Sequence, residues 1–151
     1  MGISEAPRGG KGTEGGRNGV GGARCIALVG TFASGKTSLL EAILARTGAV
    51  SRPGSIAAKN TVGDASPEAR EHAMSVQLNV ADATFLGDTF TFIDCPGSVE
   101  FLHEGALALA GCDAAIVVCE PDPKRVPALQ MVLNRLDELA LPHILFLNKI
   151  D

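Results

Sequence analysis

The segment Gly30–Thr37 constrains the fold of this chain more than any other part of the sequence. Its pattern is G-x-x-x-x-G-K-T, and it lies between an apolar run, residues 25–29, and an amphipathic stretch that begins at Lys36. Short apolar runs are typical of strands buried on both faces, whereas the stretch after Lys36 has the apolar spacing of a helix. A glycine-rich turn between strand and helix directs backbone amides and a helix N-terminus toward one point. The pattern therefore predicts a phosphate-binding loop.

Each part of this loop has a predicted role. The backbone amides surround the phosphates, the Lys36 amine reaches the β- and γ-phosphates, and the Thr37 hydroxyl binds Mg²⁺. A glycine-rich turn without a ligand is the alternative, and the strand before and helix after the loop disfavour it. The predicted phosphate-binding residues are Gly30, Thr31, Phe32, Ala33, Ser34, Gly35, Lys36, Thr37 and Ser38.

A second motif, D-x-x-G, lies at the end of a predicted strand. A carboxylate at that position can hold a metal-bound water, and a glycine three residues later can bring its amide to a terminal phosphate. Alone, this short motif is weak evidence for nucleotide binding. It becomes strong evidence when its strand lies next to the phosphate loop. Its predicted nucleotide-binding residues are Asp94, Cys95, Pro96 and Gly97.

The third motif is N-K-x-D at the end of the last predicted strand. An ionised carboxylate accepts two hydrogen bonds, and guanine offers two donors side by side, whereas adenine leaves the carboxylate unpaired. A buried unpaired polar group costs about 1–3 kcal/mol, which is enough for selectivity. The motif therefore predicts guanine binding by Asn148, Lys149 and Asp151, which an ATP-using protein would not explain.

Apolar patterning predicts the order strand, helix, hairpin, helix, strand, helix, strand. This order indicates an α/β fold with a mostly parallel sheet, one antiparallel edge strand and helices on both faces. A long loop is predicted at residues 49–75, and a solvated turn at Glu120, Asp122 and Lys124. The other predicted segments are a hairpin of residues 76–80 and 90–92 with its turn at Gly87-Asp88, strands at residues 114–119 and 144–147, and a helix from about Pro127 to Leu139.

Composition narrows the possible functions. Residues 1–24 contain nine of the 18 glycines and are predicted to be a flexible leader with a net positive charge. Because the whole chain has a net charge of −4, the remainder is acidic, which argues against direct DNA binding.

No apolar run approaches the roughly 18 residues that span a bilayer, so we expect a cytoplasmic protein without a membrane partner. The four cysteines form no C-x-x-C pair and are predicted to be buried thiols.

The three motifs in this order resemble the G domain of the P-loop GTPases. The segment Asp94–Gly97 is similar to the D-C-P-G-H segment of translational GTPases, and residues 64–76 are similar to their first switch. The resemblance is to elongation factor G and its bacterial paralogues, and it covers residues 25–151. It implies Mg²⁺-dependent binding of GTP and GDP, GTP hydrolysis in translation and the ribosome as a partner.

The resemblance also assigns roles to individual residues. Ser75 falls where the switch threonine of the family binds Mg²⁺, so the implied metal ligands are Thr37, Ser75 and Asp94. Ser98 stands where the family has the histidine that positions the attacking water. The implied catalytic residues are Lys36, Gly97 and Ser98.

Serine cannot carry a positive charge near neutral pH, so the replacement at Ser98 leaves two functions open. The chain is a GTP hydrolase of translation, or it is a GTP-binding regulator with weak or no hydrolysis. His72 and His103 are possible substitutes for the missing imidazole, although both are more simply surface histidines.

A G domain of this family continues beyond the N-K-x-D motif with a helix, a fifth motif, a strand and a closing helix. We therefore expect this G domain to be incomplete at its C-terminus and the isolated stretch to have low stability. The apolar stripe of the first helix is expected to be partly uncovered at Leu39, Leu40, Ile43 and Leu44.

Overall fold

A five-stranded sheet forms the centre of the computed structural model, which describes residues 24–54, 61–62, 78–97 and 106–151. The strands lie side by side in the order β2-β3-β1-β4-β5. Only the β2–β3 pair is antiparallel, and the other pairs are parallel. The predicted mixed α/β sheet is therefore confirmed. The strands are β1 (Arg24–Gly30), β2 (Asn79–Phe85), β3 (Asp88–Asp94), β4 (Ala114–Cys119) and β5 (His143–Leu147).

The β2–β3 hairpin turns one residue earlier than the sequence predicts. Leu86 and Gly87 form the turn with φ values of 53° and 88°, and Asp88 already belongs to β3. A two-residue hairpin loop with positive φ at both positions matches the twist of the flanking strands, and glycine adopts this conformation without steric cost. Gly87 is thus the second turn residue. Of the predicted strand at residues 76–80, positions 76 and 77 lie outside the described residues.

Three helices connect the strands in the described part of the chain: α1 (Lys36–Thr47), α2 (Ala106–Ala110) and α3 (Val126–Glu138). Helix α1 ends at Gly48, whose φ of 78° is the left-handed conformation of a glycine cap. Helix α3 has a proline in its first turn, where no intrahelical donor is lost. Positions 49–54 and 61–62 contain neither helix nor strand, and the rest of the predicted 49–75 loop lies outside the described residues.

Side chains from both faces of the sheet form a core. On one face, Leu28 of β1 packs with Leu40 and Leu44 of α1. On the opposite face, Ala27 and Val29 of β1 belong to a cluster that includes Val132 and Leu136 of α3. Successive strand residues point to opposite faces, so β1 contributes to both clusters. The prediction that helices pack on both faces of the sheet is therefore confirmed.

The expected exposure of the α1 stripe is wrong for two of its four residues. Leu40 and Leu44 are only 1% and 2% exposed, and Leu39 and Ile43 are partly buried against the same cluster. Large exposed apolar side chains lie elsewhere, and four of them are consecutive on the edge strand β5. Its exposed residues are Ile144, Leu145, Phe146 and Leu147.

Two further predictions concern composition. Cys95, Cys112 and Cys119 are buried free thiols, as expected, whereas the fourth cysteine, Cys25, is a free thiol that is only partly buried. Among the helices that the structure describes, none combines the length and apolar character needed to cross a membrane. The boundary of the predicted leader at residue 24 stays a prediction, because residues 1–23 lie outside the described part of the chain.

We expect Leu136→Ala to lower the free energy of unfolding by about 2–5 kcal/mol, because it opens a cavity beneath α3. Leu145→Ala removes the same atoms from a side chain that is 59% exposed, so its effect should stay below about 1 kcal/mol. Denaturant unfolding of both variants measures the difference. Equal losses would contradict the assignment of the core.

Candidate nucleotide-binding site

The three predicted motifs meet at one edge of the sheet. The loop Gly30–Lys36 follows β1, Asp94 is the last residue of β3, and Asn148 directly follows β5. These strands are parallel, so their carboxyl ends lie at the same edge. In open α/β sheets, ligands bind at this edge.

Two glycines of the loop are required by their surroundings. Gly30 has a φ of 145°, and a Cβ there would collide with the carbonyl of Val118 on β4. Gly35 has a φ of 99°, and its Cβ would collide with the side-chain amide of Asn148. Positive φ values disfavour other residues even without these collisions. The loop is therefore packed closely against both β4 and the N-K-x-D motif.

The carbonyl groups at the start of the loop are held by the lysine of the same motif. The Lys36 amine donates hydrogen bonds to the carbonyls of Gly30 at 3.3 Å and Thr31 at 2.9 Å. Ser34 closes the turn with a backbone bond to the Thr31 carbonyl at 3.3 Å.

The next three carbonyls are held by side chains from the far end of the sequence. The guanidinium of Arg125 donates to the carbonyl of Phe32. Lys149 donates to the carbonyl of Ala33 at 2.7 Å, and Asn148 donates to that of Ser34 at 2.9 Å. Five consecutive carbonyls thus accept hydrogen bonds from side chains. With its carbonyls fixed in this way, the loop can present its amides to an anion.

Lys36 and Gly97 are in close contact. The lysine is buried, and desolvation lowers the pKa of its amine, as does the charge of Arg125, while the charge of Asp94 acts in the opposite direction. A Cβ on Gly97 would lie 2.7 Å from the Lys36 amine and 2.9 Å from the backbone nitrogen of Phe32. The absence of a side chain at Gly97 lets the D-x-x-G segment pack directly on the loop.

Thr37 and Asp94 form the second contact between these motifs. The Thr37 hydroxyl donates to Oδ2 of Asp94 at 2.7 Å. Oδ1 of Asp94 is buried and has no hydrogen-bond partner among the described residues. Burial raises the pKa of this carboxyl, although the Thr37 hydrogen bond and the Lys36 charge oppose the shift.

This pair fits the predicted magnesium ion. A hydroxyl and a carboxylate supply the oxygen ligands that Mg²⁺ prefers, and the buried Oδ1 atom lacks another partner in the described structure. Ser75, the third predicted ligand, lies outside the described residues, as do the predicted catalytic residue Ser98 and both candidate histidines, His72 and His103.

The remaining predicted residues have different environments. Cys95 and Pro96 are buried, and desolvation raises the pKa of the Cys95 thiol to about 12. Such a thiol packs rather than reacts. Ser38 is exposed on α1, and the Asp151 side chain is exposed beyond β5.

Sequence reasoning missed two residues at this edge. Glu120 was expected in a solvated turn, but its side chain is only 13% exposed and forms ion pairs with Arg125 and Lys149. Asp122 accepts a hydrogen bond from the Lys124 amide at 2.9 Å, and its other oxygen lies 3.8 Å from Nε of Arg125. Glu120 could have been found from its place in the sequence, because it directly follows a predicted buried strand and so lies at the carboxyl edge of the sheet. The contact of Arg125 with the loop could not be read from the sequence, because Phe32 is 93 positions away.

A phosphate loop joined to a carboxylate motif and a base motif at the carboxyl edge of a parallel sheet defines a P-loop nucleotide-binding domain. Residues 22–151 match the family model described as the elongation factor Tu GTP binding domain. The chain belongs to this family, and the predicted relationship to translational GTPases is confirmed.

Several proteins of this family are similar to the chain. An elongation factor G-like protein from Synechocystis is 47% identical over 128 residues, which cover 85% of this chain and 19% of that protein. Elongation factor G from Thermotoga maritima is 31% identical, covering 85% of this chain and 18% of that protein. A solved structure from Thermus thermophilus aligns with a TM-score of 0.75 at 34% identity, covering 85% of this chain and 20% of that one. The chain thus spans about a fifth of these relatives.

We expect the stability of the protein relative to an Asp94→Asn variant to fall as pH rises above 4. The pKa of Asp94 in the folded protein lies above its ordinary value of 3.8, so protonation favours folding. The contribution is complete below pH 3.8 and is lost as pH rises through the raised pKa, by about 1.4 kcal/mol per unit of pKa difference.

Urea unfolding of both proteins between pH 4 and 8 measures this trend. Asp137→Asn, which alters an exposed carboxylate of α3, serves as the control for the loss of a carboxylate. A stability difference between the protein and Asp94→Asn that stays constant over this range would contradict the prediction.

Proposed function

We propose that this protein binds GTP and GDP with Mg²⁺ and hydrolyses GTP during translation elongation on the ribosome, in the cytoplasm. The observation that carries the proposal is the meeting of three motifs at one sheet edge, through the contacts of Gly97 with Lys36 and of Asn148 with Ser34. The family supports guanine nucleotide as the ligand. The relatives named elongation factor G support translation as the process and the ribosome as the partner.

In this proposal, each group acts by binding and orientation. The loop amides and the N-terminus of α1 bind the phosphates, and the Lys36 amine, which has three donors, contacts the β- and γ-phosphates while it stays bonded to the loop carbonyls. Thr37 and Asp94 would hold the magnesium ion, which neutralises phosphate charge when bound. The Asp151 carboxylate accepts the two adjacent guanine N–H groups, with Asn148 and Lys149 fixing the motif against the loop.

Hydrolysis needs little more than positioning and charge neutralisation, because phosphoryl transfer passes through a loose transition state. Gly97 lies against the Lys36 amine, so in the proposed complex its amide is near the terminal phosphate. Ser98 follows directly and would orient the attacking water through its hydroxyl. It can donate and accept a hydrogen bond, but it cannot supply the positive charge of an imidazolium.

Asp151→Asn should remove the preference for guanine. The variant loses an acceptor of two hydrogen bonds, so GDP affinity should fall about tenfold or more while ADP affinity stays weak. Competition of GDP and ADP against a fluorescent nucleotide measures both values. Asp137→Asn on α3 is the matched control and should bind like the unaltered protein. Equal affinities for GDP and ADP in the unaltered protein would refute the guanine assignment.

The second candidate function is a GTP-binding regulator that hydrolyses slowly, and the serine at position 98 favours it. Ser98→His should raise GTP turnover about tenfold or more, because imidazole can orient water and carry charge. Phosphate release, measured with and without ribosomes, tests this effect, with Ser51→His on an exposed turn as the control. Strong ribosome stimulation of the unaltered protein supports the hydrolase, and its absence together with a faster Ser98→His variant supports the regulator.

A further inference from the structure

Arg125 connects the end of β4 to the phosphate loop. It is the last residue of the short 3₁₀ helix Pro123–Arg125, which follows β4 and leads into α3. One end of its guanidinium donates to the carbonyl of Phe32, and its Nε atom lies 2.9 Å from Oε1 of Glu120. The contact with Glu120 is an ion pair rather than an aligned hydrogen bond. Arginine can make both contacts at once because its planar fork separates its donors.

Glu120 holds a second cation in the same way. Its Oε2 atom lies 3.3 Å from the amine of Lys149, which donates to the carbonyl of Ala33. One largely buried carboxylate at the end of β4 therefore positions two cations, Arg125 and Lys149, on consecutive loop carbonyls.

Phe32 is the residue whose position matters for phosphate recognition. Its carbonyl is bonded to Arg125, and its backbone nitrogen faces Gly97, where a Cβ would approach it to 2.9 Å. The same Gly97 position is 2.7 Å from the Lys36 amine, which in this class of loop reaches the β- and γ-phosphates. The Phe32 amide thus lies at the end of the loop where a triphosphate and a diphosphate differ.

We propose that Arg125 and Glu120 are positioning residues for the terminal phosphate. Glu120 fixes Arg125 on the Phe32 carbonyl, and this contact fixes the Phe32 amide beside Gly97, so the pair favours GTP over GDP. The inference rests on the proposed binding of guanine nucleotides. It adds a specificity-determining pair that lies outside all three sequence motifs.

The test compares affinities for GDP and for the slowly hydrolysed analogue GTPγS by titration calorimetry. Arg125→Ala should weaken GTPγS binding about tenfold, the loss expected for a hydrogen bond to a charged group, and GDP binding less than about threefold. Arg125→Lys should remain close to Arg125→Ala in this ratio, because Arg125 contacts Glu120 through Nε and Phe32 through a terminal nitrogen, and lysine has no nitrogen at the Nε position. Glu120→Gln should lower the same ratio, because it removes the closer and more buried of the two carboxylates that pair with Arg125, Asp122 being the other.

Arg135→Ala is the matched control. Arg135 also forms an ion pair with a glutamate, Glu138 at 2.7 Å, but both residues lie on α3, away from the loop. This variant should bind both nucleotides normally. Thermal melting of each variant without nucleotide separates changes in folding from changes in affinity.

Equal losses of GDP and GTPγS affinity in the Arg125 variants, or no loss at all, would overturn the inference, even with a lowered melting temperature. In that case the pair would stabilise only the fold. If the unaltered protein binds neither nucleotide, the proposed function fails and this inference fails with it. Normal binding by the unaltered protein with an unchanged GTPγS-to-GDP ratio in all variants refutes the inference alone.

Discussion

The hydrogen bonding of the loop carbonyls is the constraint on which the rest of the site depends. A peptide loop has donors and acceptors in equal number, so it binds an anion only if its acceptors are directed elsewhere. Here side chains hold five successive carbonyls, from Gly30 to Ser34. The side chains come from helix α1, the 3₁₀ helix after β4 and the segment after β5. Anion binding is thus a property of the whole sheet edge, not of the loop alone.

Holding the loop in this way places two charged side chains, Lys36 and Asp94, in a buried environment. Lys36 and Asp94 are both desolvated, which lowers the pKa of the amine and raises that of the carboxyl. Each shift opposes the charged form, and the attraction between the two groups offsets only part of it. A nucleotide with a metal ion would supply the missing opposite charges. The site therefore holds polar groups whose interactions are incomplete within the described protein, which is common at functional sites.

Local pattern was enough to predict most of the strands and helices and the three motifs. Strands β1, β4 and β5 were predicted from short apolar runs, which depend only on neighbouring residues, so packing against the rest of the protein changed these predictions little. The hairpin turn was misplaced by one residue because both Leu86-Gly87 and Gly87-Asp88 offer a glycine. Glu120 could have been suspected from its position after a buried strand, but the role of Arg125 could not be predicted, since it depends on Phe32, which is 93 positions away. Such pairs are fixed by folding rather than by local sequence.

The close fit between Gly35 and Asn148 has an evolutionary consequence. No side chain fits at position 35 without displacing the asparagine that also bonds Ser34 across 114 positions of sequence. A substitution in one motif would therefore change which residues are tolerated in the other, although the two are proposed to contact opposite ends of the nucleotide. Residues at the two positions should therefore covary among related sequences. Selection would act on the fit between the two motifs and not on either motif alone.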